Sequence, residues 1–111
     1  VLMRVPFLVK PPGPSGAPRA SREFVSLVDV APTLLDLAGA PLPADLNGRT
    51  LVPFWRADHP AHADESWKRH RETCYLEAQG VRGLRWENWK LITYQNRHYG
   101  ELYDLAADPH E

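Results

Sequence analysis

ELYDLAADPHE, residues Glu101 to Glu111, sets the reading of everything before it. Glu101 to Leu105 reads as a short strand. It runs into an acidic turn, Asp108-Pro109-His110-Glu111, of the kind that ordinarily hands over to a helix. The sequence is therefore expected to be a piece of a longer protein. Three further apolar-rich stretches precede it: TCYLEA (Thr73 to Ala78), VRGLRW (Val81 to Trp86) and WKLITY (Trp89 to Tyr94). Glu87-Asn88 reads as a two-residue hairpin turn, and QNRHYG (Gln95 to Gly100) as a longer one. Four strands at short, regular spacing predict an antiparallel meander. Trp89, Leu91 and Thr93 fall on one face of the third strand, and Lys90, Ile92 and Tyr94 on the other. Such mixed faces predict a sheet packed on one side by an element outside these residues. Tyr103 and Leu105 are expected to pack with WKLITY.

Further back the sequence changes character. RVPFLVK (Arg4 to Lys10) is apolar on both faces and predicts a strand covered on both sides. Pro6 places it at an edge or near the strand's start. Pro11 to Ser21 is a loop by composition. After a short apolar stretch, Glu23 to Val28, a helix is predicted. Asp29 is its expected N-cap, and Pro32 falls in the first turn, where its missing N–H costs nothing. Leu34, Leu35 and Ala38 make its apolar face, and Asp36 its solvated one. Gly39 supplies a left-handed terminator, and Pro41 and Pro43 block continuation. Asn47-Gly48 is a tight turn. Thr50 to Trp55 predicts one or two helical turns. Arg56 to Glu72 is polar, carries His59, His62 and His70, and reads as a surface linker.

Composition narrows the function classes. The 43% hydrophobic and 24% charged content over 111 residues is that of an ordinary globular domain. Eleven prolines make the first half loop-rich. A formal net charge of −1 gives no electrostatic case for nucleic acid or an anionic membrane as partner. The longest apolar runs fall far short of the ~20 residues of a membrane helix. Val1 opens with no basic leader, cleavage site or start Met, so no signal peptide is read and the native N-terminus is expected to lie upstream. The compartment is not legible. One cysteine, Cys74, excludes an internal disulfide and a multi-cysteine metal site. It is expected to be a small buried apolar residue. Arg69 and Arg71 are near it in sequence, but nothing else supports a reactive thiol.

Three segments, taken in order, resemble the sulfatases of the alkaline phosphatase superfamily. They are RVPFLVKPPG (Arg4 to Gly13), VSLVDVAPTLLDLAGAPLP with NGRTLVPF (Val25 to Phe54), and LRWENWKLITYQNRHYGELYDLAADPHE (Leu84 to Glu111). Thr50 stands where that family commonly has Ser, and both residues cap helices. The resemblance implies an α/β enzyme, α+β within these residues. Residues 1–55 would close the large α/β domain, 56–72 would be a linker, and 73–111 would form most of a small antiparallel subdomain whose terminal helix is missing. It also implies that the parent hydrolyses sulfuric esters with a formylglycine nucleophile and a calcium ion. The rest of the sulfatase chain and a sulfate-ester substrate would be its partners. Phosphodiesterases and phosphonate monoester hydrolases share these motifs, and a non-catalytic interaction module derived from the same tail is the remaining alternative.

The residues of that chemistry are not in this sequence. Cys74 lies in CYLEA and not in C-x-P-x-R, and Ser15 and Ser21 are also in the wrong context. No catalytic residue, no paired Asp-Asp metal motif and no cofactor is assigned. Asp29, Asp36 and Glu23 are candidate oxygen ligands for a hard cation, with capping and solvation the blander reading. His59, His62, His70 and Asp64 are a candidate zinc set against a plain linker. Arg97 and His98, on the loop before the last strand, are the candidate substrate-binding residues, because small-domain loops of the family help form the substrate pocket. A solvated turn is the alternative. Trp86 and Trp89 are expected to be buried, and Trp67 to be the most exposed tryptophan. An apolar strand with unpaired edges invites association, so self-association of the isolated segment is also expected.

Overall fold

The computed structural model describes residues 5–13, 19–63, 66–68 and 70–110. It divides into two compact units, Val1–His70 and Arg71–Glu111. The class is α+β: one helix, α1 (Val30–Leu37), lies in the first unit and a four-stranded antiparallel sheet in the second.

In the first unit the helix forms where the sequence places it and stops at Gly39, whose φ of +66° is the left-handed conformation a terminator needs. The buried side differs from the expectation. Pro32 and Thr33 are the buried helix residues, whereas Leu34 is 61% exposed. The reason is the partner. Leu51, Val52 and Pro53 begin and form a 3-10 turn (Val52–Phe54) that is buried in turn. The Leu51 amide donates to Thr33 Oγ1 at 3.0 Å, which draws the Pro32–Thr33 side inward. Gly48 permits this closure, since a Cβ there would stand 1.9 Å from the Val28 carbonyl oxygen.

Residues 5–10 correct a second expectation. They form no strand, and Val5 and Leu8 are 66% and 92% exposed. A strand is stabilised by ladder bonds to a neighbour, and no other strand exists among the described residues of this unit. Arg4 and loop residues 14–18 lie outside the described residues.

The second unit follows the predicted meander, in order β1 (Thr73–Ala78), β2 (Val81–Trp86), β3 (Trp89–Tyr94) and β4 (Gly100–Asp104). Register is fixed by the two-residue turn at Glu87-Asn88, where Trp86 pairs with Trp89 and Glu87 takes φ 45°. Tyr75, Leu84, Leu91 and Leu102 line up across one face, with Tyr75 and Leu102 more than half exposed. Ile92 and Lys90 lie on the other face, and both are buried. Tyr103 pairs directly with Lys90, as the expected packing on WKLITY requires, and the ammonium sits 5.4 Å from its ring centroid. Trp86 is half-buried, and Trp89, expected inside, is 36% exposed. Cys74 is half-buried.

Candidate functional site

Two polar constellations stand out, one in each unit. In the first, Asp29 is fully buried and does not cap α1 with its side chain. Its carboxylate is met by donors from three segments instead, among others. The Ser26 and Arg49 amides donate to it, each at 2.9 Å, and His70 Nε2 lies 3.1 Å away. Arg49 closes the ring by donating from Nη1 to the His70 carbonyl at 2.9 Å. A buried carboxylate is tolerated only when its lone pairs are met in this way.

Asp36, two helical turns on, is half-buried rather than solvated. Thr50 Oγ1 donates to it at 2.5 Å, and His59 Nε2 lies 3.0 Å away. The Ala61 amide donates to His59 Nδ1 at 3.1 Å, which places that ring's proton on Nε2, facing Asp36. His62 Nε2 donates to the Pro53 carbonyl at 2.9 Å, and its ring packs 4.4 Å from Trp67. Trp67 also meets Phe54 edge-on at 6.1 Å, so it is a packing residue and not the exposed tryptophan expected. A cavity of about 290 Å³ opens here between Arg49, Pro53, Phe54, Trp67 and His70.

The stretch read as a polar linker thus returns three histidines to the helix and its adjoining turn. Each histidine has its own partner, and they do not converge on a zinc site. Among the described residues no group of three or more His, Cys, Asp or Glu side chains is placed to hold a metal. Asp64, the fourth candidate ligand, and Ser15, Arg69 and Glu111 lie outside the described residues. Glu23, the remaining oxygen candidate, is half-buried at the approach to the helix.

The second constellation lies at one end of the meander. The β1–β2 turn and the β3–β4 loop meet there, and the Gln95 amide donates to the Gly80 carbonyl at 2.6 Å. Gly80 and Asn96 take φ +69° and 61°, the positive values such turns require. Arg97 is exposed and sits 5.6 Å from the ring centroids of both Tyr94 and Tyr99, donating to the Tyr99 hydroxyl. His98 is exposed beside it. Beneath, the Tyr103 hydroxyl donates to Glu101 at 2.8 Å. Hydrogen bonds from Tyr103 and then Tyr94 hold the Glu101 carboxyl below the usual carboxylate range. The same bond to Glu101 pushes the Tyr94 hydroxyl up. Arg82, at the same end, reaches Glu77 at 3.4 Å.

Sequence reasoning singled out Arg97 and His98 but missed their supports. Tyr94 and Tyr99 flank Arg97 at three and two positions, and the strand–turn–strand spacing of QNRHYG was the available signal. Nothing local linked Gly80 to Gln95, or Asp29 to His70.

Comparison with known proteins gives a consistent result. Residues 2–111 match the family described as N-sulphoglucosamine sulphohydrolase, C-terminal. Arylsulfatase K of Canis lupus familiaris is 36% identical over 96% of this chain and 21% of its own length. The N-acetylglucosamine-6-O-sulfatase of Bacteroides thetaiotaomicron is 32% identical over 97% of this chain and 20% of its own. A solved structure in complex with its substrate D-glucosamine-2-N,6-O-disulfate is similar over 73% of this chain and 17% of its own, with TM-score 0.54 and 32% identity. A solved 2-O GAG sulfatase is similar over 73% and 18%, with TM-score 0.55 and 29% identity. The chain spans about a fifth of the length of the curated relatives it matches.

Proposed function

This chain belongs to the N-sulphoglucosamine sulphohydrolase C-terminal family of the sulfatases, and on that premise we propose that it serves as the C-terminal segment of a sulfatase-like hydrolase. In this reading residues 1–55 complete the large α/β domain, 56–72 connect it, and 73–111 form the small subdomain. The parent enzyme hydrolyses a sulfuric ester, with a sulfated sugar the favoured substrate. One observation carries the proposal: curated sulfatases align with nearly all of this chain in one stretch that is about a fifth of their own length.

The segment's part is to shape the substrate pocket. Sulfate transfer needs an activated nucleophile and preorganised positive charge. The sequence carries no formylglycine precursor motif, and among the described residues no calcium site is formed. Both helix-side carboxylates, Asp29 and Asp36, are already engaged by hydrogen-bond donors, so they do not fit a calcium ion. The Arg97–His98 loop is the part suited to ligand contact, because it presents an oriented guanidinium on an exposed loop. Full-length protein assayed for sulfate release from a sulfated glucosamine, beside a phosphate diester and a phosphonate monoester, tests this. Sulfate release is expected. Turnover of the phosphorus esters alone, or of none of the three, would sink the reading.

A further inference from the structure

The stack around Arg97 has the makings of a specific subsite. An exposed arginine ordinarily samples many rotamers, and ordering it on binding costs affinity. Arg97 instead lies beside two rings, 5.6 Å from each centroid, that stand 5.8 Å apart and are inclined at 53°. One of its N–H groups goes to the Tyr99 hydroxyl, out of the five a guanidinium carries. Glu101, which the Tyr103 hydroxyl holds at 2.8 Å, also interacts with Tyr94. Tyr99 remains 54% exposed, so an aromatic surface lies open beside the guanidinium. Glu101, which interacts with Tyr94, is acidic, which disfavours a polyanionic strand and favours a ligand with a single anionic group at this point.

Resting on the sulfatase reading, we propose that Tyr94, Arg97 and Tyr99 form a subsite for an anionic sugar ring. The guanidinium takes a carboxylate or sulfate substituent in its fork. The exposed Tyr99 ring covers the C–H surface of the pyranose. No nucleophile motif or metal ligand set occurs among these residues. In this scheme the group held by Arg97 is a substituent away from the bond being cut. Its contact is made equally in ground and transition states, and its loss raises KM without lowering kcat. Glu101 is a positioning residue in this scheme, acting on the ligand only through Tyr94.

The test is calorimetric titration of the full-length protein with a sulfated, uronic-acid-containing disaccharide. Arg97→Ala is expected to weaken binding about tenfold, and Arg97→Lys to fall between it and the wild type. Tyr99→Ala is expected to weaken binding by a smaller factor, with the melting temperature of each variant unchanged. Affinity within twofold of the wild type for Arg97→Ala overturns the subsite. So does a loss accompanied by a lowered melting temperature that Arg97→Lys does not restore. Sulfate release by the wild type is read separately. A wild type that releases sulfate while Arg97→Ala binds normally removes the subsite alone. One that releases no sulfate while Arg97→Ala binds tenfold more weakly removes the sulfatase reading alone.

Discussion

The two units reach order by different routes. The sheet of the second unit is specified by neighbours in sequence: each strand pairs with the next, and every connection is a short turn. Among its described residues the first unit has one two-turn α-helix, and the buried hydrophobic side chains there are Leu51 and Val52. Its geometry rests on Asp29, which draws on Ser26, Arg49 and His70, the last 41 residues away. A local ladder degrades gradually when one contact is lost. A buried polar hub does not, because removing one member strands the rest.

The largest effect should therefore come from Asp29→Ala. Its loss leaves two amides and a histidine nitrogen without the carboxylate they meet, at about 1–3 kcal/mol for each buried group left unsatisfied. Hydrogen exchange should show protection lost around α1 and Leu51–Phe54 while β2 and β3 keep theirs. Retained protection around α1 would remove the hub from the account.

Glycines sharpen the comparison at the next level. A Cβ at Gly48 would stand 1.9 Å from the Val28 carbonyl oxygen, and at Gly100 2.7 Å from that of Ile92. Both substitutions overpack backbone against backbone, at about 1–3 kcal/mol. Gly48→Ala should be the costlier in thermal unfolding, since Gly100 starts an edge strand that shifts more readily. The reverse order would contradict the tight closure of the first unit.

The smallest effect is one of pH, and it belongs to the sheet. The folded Glu101 carboxyl titrates below its ordinary range because the Tyr103 and Tyr94 hydroxyls donate to it. Its contribution is present in full above the ordinary carboxylate pKa. It is lost as pH falls through the lowered folded value. Amide protection at the β3–β4 pairing should weaken in acid, and Tyr103→Phe should weaken that dependence. An acid response unchanged in Tyr103→Phe would count against the bond.

The same contrast explains what the sequence disclosed. Alternation and turn residues from Thr73 to Asp104 carry their own register, so the meander was legible strand by strand. α1 was legible too, because Pro32 and Gly39 mark its ends locally. Its buried side was not, since Thr33 is drawn inward by an amide 18 residues on. RVPFLVK has the composition of a strand, but composition does not supply a neighbour to pair with. Asp29 carries the pattern of a cap, and only the fold shows that Arg49 and His70 compete for its carboxylate. At the site, Arg97 and His98 stood out as a basic pair on a loop. That Tyr94 and Tyr99 would close on Arg97 depends on a turn in which Asn96 adopts a positive φ, and no residue type alone reports that.

The most direct test of the central claim is kcat/KM for a sulfated sugar in the full-length protein carrying Arg97→Ala and His98→Ala together. The account predicts a fall of at least about tenfold, the scale of one lost charge-assisted contact, with the melting temperature unchanged. An unchanged kcat/KM would contradict it and leave this end of the meander a solvated turn.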